Sequence, residues 1–274
     1  MGTLDTFITT TLGLTKLPPF LPTFLYSFLG FSVVHQVIAP WASRRWFPHA
    51  YGSIPRRAQN AWSIHVVSQI HAILIVPLSL WALYYEPAER AGDRAFGWDE
   101  RVGYVHAVAC GYFLWDSLDA VVNFTDVGFV VHGVACLAIY AMSFVSSLPP
   151  PPPPWCLSTF FLNIHWFMDK TGRTGSTAQF VNGIFLLSAF FGVRLMYGGK
   201  VSIDFVRTLV QVRREIPWTY FIVFGIGNIV LASLNWFWFT KMISALRRRF
   251  DDGKSLQRTR LVNGVTHGNY GTGN

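Results

Sequence analysis

The stretch FLWDSLDAVVNFTDVGFVVH, residues 113–132, joins two apolar segments through a very short turn. Asp116, Asp119 and His132 lie inside those apolar segments. Ionisable residues are costly in a membrane, are rare there, and usually face a partner inside a helix bundle. Whether this stretch crosses a membrane therefore decides both the fold and the location of a candidate site.

The composition indicates that it does. Of the 274 residues, 51% are hydrophobic and only 13% are charged, whereas soluble proteins average about 25% charged residues. The 24 Phe and 11 Trp suit lipid-facing surfaces and the aromatic belts at membrane interfaces. We therefore expect an integral membrane protein.

Seven apolar segments are candidates for membrane-spanning helices, each of which needs about 20 apolar residues. They cover residues 20–40, 62–84, 102–122, 128–147, 155–168, 177–197 and 218–243. The fifth is short, because it reaches only about 21 Å at about 1.5 Å per residue. The prolines Pro149–Pro154 before it predict a stiff, extended connector. The predicted fold class is all-α, a polytopic membrane helix bundle.

The formal net charge of +8 is spread unevenly over the predicted loops. With seven spans, Lys and Arg are more numerous on the side of the C-terminus, so the positive-inside rule predicts a lumenal N-terminus and a cytosolic C-terminus. The basic run from Lys241 to Arg260 either fixes this topology or attracts anionic lipid headgroups. We expect no nucleic-acid binding, because that would need a folded basic surface and the sequence predicts none. Residues 201–218 are amphipathic, which predicts a helix in the membrane interface. Residues 263–274 are expected to be disordered.

The short turn predicts that the third and fourth spans are antiparallel neighbours. Asp119 and His132 then lie at similar depth, where the carboxylate would orient the imidazole as a general base. Asp116, three residues before Asp119, shares its helix face. These three are the candidate catalytic residues. The pair also has a purely structural interpretation, as an interhelical hydrogen bond worth on the order of 1 kcal/mol.

Four further polar residues are predicted to lie in the cytosolic half of the bundle. These candidate substrate-binding residues are His65, Asn163, His165 and Asn182. Their convergence predicts a cavity open to the cytosol or to the inner lipid leaflet. No metal site is expected, because His65 and His71 lack the spacing of a metal-binding helix and the three cysteines lack paired spacing.

The remaining polar residues of the spans have structural interpretations. Arg194 is expected to extend to the lumenal interface, and His106 is expected to be a core or interface histidine. Asn228 and Asn235, seven residues apart, lie on nearly one helix face and are expected to join helices. We expect no function for three other histidines: His35, His49 and His267.

Four segments carry a family resemblance. They are AWSIHVVSQIHAILIVPLSLWAL, GYFLWDSLDAVVNFTDVGFVVHGVACLAIYAMSF, LSTFFLNIHWFMDKTG and QFVNGIFLLSAFFGVRLMYGG. In order and spacing they resemble the TLC domain, which is shared by translocating-chain-associating membrane proteins, longevity-assurance ceramide synthases and the Batten-disease-associated endoplasmic reticulum protein. The chain is most similar to the TLC-domain-containing, transmembrane protein 56-like branch and its fungal members.

The resemblance implies a domain organisation and a location. A six-helix TLC domain would cover residues 57–250. It would follow an N-terminal segment, residues 1–56, with one transmembrane helix, and precede a basic, disordered cytosolic tail, residues 251–274. The family is usually found in the endoplasmic reticulum or a related endomembrane.

The hairpin departs from the ceramide synthase pattern, in which two adjacent histidines are needed for acyl transfer. Here Val131 occupies the place of one histidine and only His132 remains. Three functions stay open. The first is lipid binding or handling in an intramembrane cavity, with a role in membrane lipid homeostasis and membrane lipids as partners. Another is a role as a cargo or translocon accessory protein of the endoplasmic reticulum.

The main alternative to lipid handling is an acyltransferase acting on a lipid amine or hydroxyl. In it His132 is the base, Asp119 orients it and Asp116 is a second polar contact. Asn163 and His165 would contact the substrate or an oxyanion. No bound cofactor is expected, and acyl-CoA would be the co-substrate. The sequence leaves a homo-oligomer open.

Overall fold

The computed structural model describes residues 3–124, 126–145 and 156–268. Within these ranges the regular structure is helical, without a β-strand. The seven long helices are α1 (Pro18–Trp46), α2 (Arg56–Tyr84), α3 (Glu100–Val122), α4 (Val127–Met142), α5 (Leu157–Lys170), α6 (Thr177–Gln211) and α7 (Trp218–Gly268). Short helices cover Thr3–Thr6, Phe7–Thr11, Pro48–Gly52 and Ala88–Gly92. The connector predicted at Pro149–Pro154 lies outside the described residues.

These helices confirm the predicted membrane helix bundle. In the described part of the chain, α1, α2, α6 and the Trp218–Arg247 part of α7 are each long and apolar enough to cross a membrane, and α4 is a shorter apolar helix. By contrast, α3 carries more polar residues, and about half of its residues are buried against other helices. A helix shielded from lipid on most sides needs less apolar surface of its own.

The first helix packs closely on α3 because glycines let the two backbones approach. A Cβ atom at Gly111 would lie 2.7 Å from both the carbonyl oxygen of Phe24 and the amide nitrogen of Phe28. The Ser27 hydroxyl also donates to the carbonyl oxygen of Val108 at 2.8 Å. Small residues at interfaces are a common means of helix association in membranes, so α1 is an integral part of the core.

Helices α3 and α4 form the predicted antiparallel hairpin. Gly133 of α4 faces α3, since its Cβ would lie 2.9 Å from Oγ of Ser117 and 3.0 Å from Oδ2 of Asp116. The turn is fixed by Asp126, whose carboxylate caps α4 by accepting from the amide of Gly128 at 2.6 Å. Capping satisfies an otherwise unpaired amide of the first helical turn, so Asp126 has a structural role.

The sixth helix is longer than predicted. Residues 198–211 continue the span Thr177–Ala189 through a π-helical segment, Phe190–Tyr197, instead of forming a separate interfacial helix. No proline interrupts this region, and glycines in a helix interior cost only about 1 kcal/mol each. Leu209 anchors the extension in an apolar cluster with Val212, Ile216 and Phe224.

The chain forms two compact units, residues 1–234 and 235–274. In the first unit, Gly227 of α7 faces the side chain of Ile139 on α4. In the second, Nζ of Lys241 lies 4.4 Å from the ring centroid of Phe237. The helix continues to Gly268. Lys, Leu, Gln and Arg in this segment are good helix formers.

Candidate functional site

Two spans contain a π-helical segment that carries an ionisable residue. Val34–Ile38 in α1 contains His35, and Phe190–Tyr197 in α6 contains Arg194. A π-helical segment accommodates an extra residue in the helix and is frequent at functional sites. Both side chains bond to a neighbouring helix.

His35 belongs to a polar group that we call the His35 cluster, which consists of His35, Asn60, Asp119 and Asn123. Oδ1 of Asp119 accepts hydrogen bonds from Nδ2 of Asn123 at 2.9 Å and from Nδ2 of Asn60 at 3.4 Å. Nε2 of His35 lies 2.9 Å from Oδ1 of Asn60 and 3.8 Å from Oδ1 of Asp119. The side chains of His35 and Asp119 are only 12% and 9% exposed. The cluster thus joins α1, α2 and α3.

This arrangement corrects the expected pair of Asp119 and His132. The carboxylate of Asp119 faces α1 and α2, and the histidine beside it is His35, to which we assigned no function. His132 lies against a different part of α3, beside Phe113. The His132 ring lies 6.0 Å from that of Phe113 and 3.8 Å from Sγ of Cys136.

One signal in the sequence pointed to His35. An ionisable residue within a span usually has a partner at its own depth, and Asp119 was the acidic residue available. The pattern of the hairpin does not reveal this partner, because His35 lies on the helix before the predicted domain. Asp116 takes a third direction, towards Gly133 of α4.

Two of the predicted substrate-binding residues contact each other directly. Nδ1 of His65 lies 2.8 Å from Oδ1 of Asn163, and Nδ2 of Asn163 donates to Oγ of Ser68 at 3.1 Å. The His65 ring stacks on Trp166 with centroids 4.0 Å apart. Asn163 is buried, so this group fastens α2 to α5.

The other two predicted substrate-binding residues join α5 to α6. Nδ2 of Asn182 donates to the carbonyl oxygen of Phe161 at 2.9 Å. The His165 ring lies 3.7 Å from where a Cβ of Gly183 would be. All four predicted substrate-binding residues therefore lie along the contacts of α2, α5 and α6. The candidate catalytic residues lie on α3 and α4.

Arg194 points into the bundle, which corrects the expectation that it extends to the interface. Its Nε donates to Oγ of Ser158 at 2.7 Å, and its Nη2 donates to Oγ1 of Thr159 at 2.9 Å. The guanidinium carbon lies 5.3 Å from the ring centroid of Phe190. The position of Arg194 along the sequence does not indicate α5 as its partner helix.

Two structural interpretations are confirmed. The fully buried His106 lies with Nδ1 2.9 Å from Oγ of Ser143. Asn228 joins α7 to α6 by accepting from the hydroxyl of Ser202 and donating to its carbonyl oxygen at 3.4 Å. In the part of the chain that the structure describes, no three His, Cys, Asp or Glu side chains are grouped as metal ligands.

Comparisons with known proteins agree with the resemblance read from the sequence. The TLC domain matches residues 61–244. An uncharacterized TLC domain-containing protein of Schizosaccharomyces pombe is 35% identical over 242 residues, which are 86% of this chain and 82% of that protein. Topoisomerase I damage affected protein 4 of Saccharomyces cerevisiae is 27% identical over 82% of this chain and 83% of its own.

A vertebrate relative matches a shorter region. TLC domain-containing protein 4-B of Danio rerio is 32% identical over 178 residues, which are 62% of this chain and 66% of that protein. No solved structure matches the chain. The predicted resemblance is confirmed, and the chain belongs to the TLC-domain family of integral membrane proteins.

Proposed function

We propose that this protein binds and handles membrane lipids inside its helix bundle and acts in membrane lipid homeostasis. One observation carries the proposal: Asp116, His132 and Arg194 lie on three spans, yet each is only half-buried. Ionisable residues in a membrane are expensive to keep and usually mark a functional site. Because these three side chains remain partly accessible, a ligand can reach them.

The surroundings of these residues suit an amphiphile. Their neighbours on the outer side of α4, such as Val131 and Val134, are apolar and exposed, as expected of a lipid-facing surface. An acyl chain would lie against such a surface while its polar end reaches the ionisable groups. Membrane lipids are therefore the proposed partners, as expected from the sequence.

The proposal includes a location and an orientation. The family resemblance supports the endoplasmic reticulum or another endomembrane, and the Lys and Arg of the loops support a lumenal N-terminus and a cytosolic C-terminus. Glycosylation acceptor sites added at each terminus test the orientation. We expect modification at the N-terminus only, and modification at the C-terminus only would contradict the topology.

Acyl transfer is the second candidate, and one contact favours keeping it. A general base is often an imidazole near a carboxylate, and Nε2 of His35 lies 3.8 Å from Oδ1 of Asp119. The alternative therefore has two candidate bases, His35 and His132, with acyl-CoA as the co-substrate. An accessory role in protein translocation would instead predict secretory proteins that co-purify with the chain.

One experiment separates lipid handling from acyl transfer. The full chain is purified in detergent, its bound lipids are identified by mass spectrometry, and it is then given labelled acyl-CoA with sphingoid bases and lysophospholipids. We expect specific lipids to stay with the wild type and with the control Asp204→Asn, an exposed carboxylate on α6. We expect Asp116→Asn and His132→Ala to lose part of them.

The outcomes are distinct. Labelled product that disappears in His35→Ala or His132→Ala would move the protein to the acyltransferase class. If the wild type retains no more lipid than an unrelated membrane protein and forms no product, lipid handling is contradicted.

A further inference from the structure

The histidine that fastens α2 to α5 keeps one ring nitrogen available. Nδ1 of His65 lies 2.8 Å from Oδ1 of Asn163, whose Nδ2 donates to Oγ of Ser68 at 3.1 Å. Because an amide oxygen can only accept, Nδ1 carries the hydrogen and Nε2 of the neutral imidazole is an acceptor. Among the residues that the structure describes, none hydrogen-bonds to Nε2. His65 is half-buried, so a ligand can reach this nitrogen.

The direction of the free nitrogen is fixed by the surroundings of the ring. The His65 ring stacks on Trp166 with centroids 4.0 Å apart, and the Phe167 ring lies edge-on to it at 6.3 Å. Asn163 is buried, and its amide is hydrogen-bonded through both its oxygen and its nitrogen. Nε2 is therefore a preformed acceptor, and binding to a preformed group costs little conformational entropy.

A cation lies beside the same tryptophan. Nζ of Lys170 is 5.6 Å from the ring centroid of Trp166, so Trp166 contacts both the ammonium group and the His65 ring. Lys170 is the exposed last residue of α5. Trp166 and Asn163 precede it by about 6 and 10 Å along the helix axis. The site thus lies near the charged end of an apolar helix, where lipid headgroups meet the hydrocarbon core.

We propose that His65 and Lys170 bind the headgroup of a phospholipid that carries a hydrogen-bond donor, an amine or a hydroxyl, beyond its phosphate. The donor bonds to Nε2 of His65, and the phosphate pairs with Lys170. This inference rests on the proposed lipid handling and names the headgroup chemistry. It disfavours phosphocholine, because a quaternary ammonium has no hydrogen to donate. Leu162 of α5 is 42% exposed and offers an apolar surface to the acyl chains.

The test compares lipids that differ only in the hydrogens and methyl groups on the headgroup nitrogen. The full chain in a neutral maltoside detergent is given an equimolar mixture of dioleoyl phosphatidylethanolamine, its N,N-dimethyl derivative and dioleoyl phosphatidylcholine. The lipids retained after affinity capture are measured by mass spectrometry. The first two lipids can donate a hydrogen bond and the third cannot. We expect each of the first two to be retained about fivefold or more over phosphatidylcholine, as one hydrogen bond predicts.

The variants test the two groups separately. His65→Phe keeps an aromatic ring against Trp166 and removes both nitrogens, so the preference over phosphatidylcholine should disappear. His49→Phe is the matched control, because His49 is exposed and lies outside the site. Lys170→Gln should lower the retention of all three lipids and leave their ratio unchanged, since all three carry the phosphate. Arg173→Gln, which removes an exposed cation from the next loop, should change neither quantity.

The outcomes separate the headgroup site from lipid handling. Equal retention of the three lipids, or retention that falls evenly with each added methyl group, overturns the donor site and leaves lipid handling intact. An unchanged preference in His65→Phe overturns the donor site as well. If the wild type retains none of the lipids above the level of an unrelated membrane protein, both proposals fail. The comparison on the wild type needs no variant, so misfolding of His65→Phe does not leave the inference undecided.

Discussion

The two π-helical segments use the same device for different purposes. In the His35 cluster the imidazole meets an amide oxygen and a carboxylate, so hydrogen-bond donors and acceptors are matched within the protein. At Arg194 a guanidinium donates to the hydroxyls of Ser158 and Thr159 on α5. The first arrangement links three helices through a carboxylate and an amide, whereas the second links α6 to α5 through hydroxyl groups. An ionisable residue in a span therefore has to be interpreted together with the charge of what it contacts.

Separating α1 from α3 should disrupt the His35 cluster and leave the surroundings of Arg194 unchanged. Gly111→Ala places a Cβ atom against the backbone of Phe24 and Phe28, which cannot move without shifting the helix. Overpacking of this kind costs about 1–3 kcal/mol. We expect a lower melting temperature in detergent and loss of the contact between His35 and Asp119, with the lipid retained per protein unchanged.

Gly30→Ala is the matched control, because no atom lies within 4 Å of the added Cβ. It should keep the melting temperature of the wild type. If Gly111→Ala and Gly30→Ala have the same melting temperature, the close packing of α1 on α3 is contradicted.

A double-mutant cycle measures the corrected pairing. In membrane proteins, hydrogen bonds between helices contribute about 0.6 kcal/mol on average and up to about 1.7 kcal/mol. We expect a coupling energy in this range between His35→Ala and Asp119→Ala, from the free energy of unfolding in detergent. The cycle of His132→Ala with Asp119→Ala should give less than about 0.5 kcal/mol, as for side chains that share no contact. The reverse order of the two couplings would restore the pairing expected from the sequence.

The smallest effect is expected at Thr159. Thr159→Val removes the hydroxyl that accepts from Nη2 of Arg194 while keeping the shape of the side chain. The free energy of unfolding should change by no more than about 0.6 kcal/mol, and the lipid retained per protein should fall only slightly, because Ser158 still accepts from Nε of Arg194. Thr208→Val is the control, since its hydroxyl bonds within its own helix to Asp204. Loss of stability without loss of retained lipid would assign Thr159 to packing alone.

The sequence predicted the helices well because length and apolar composition determine which segments cross a membrane. The hairpin of α3 and α4 followed from the short turn, and the depth of His65 and Asn163 predicted the same half of the bundle for both, where the structure shows their contact. The pairing of Asp119 did not, because depth does not determine the direction in which a side chain leaves its helix. A π-helical segment changes that direction locally at both His35 and Arg194, and hydrophobic periodicity carries no sign of it.

The most direct test of the account measures bound lipid and melting temperature together in two variants. Asp119→Asn removes the carboxylate of the His35 cluster, and we expect it to lower the melting temperature while the lipid retained per protein stays at the wild-type level. Arg194→Gln should lose retained lipid at a nearly unchanged melting temperature. If both variants retain the wild-type amount of lipid, or if lipid loss follows melting temperature in both, the division between a structural cluster and a lipid-binding site is contradicted.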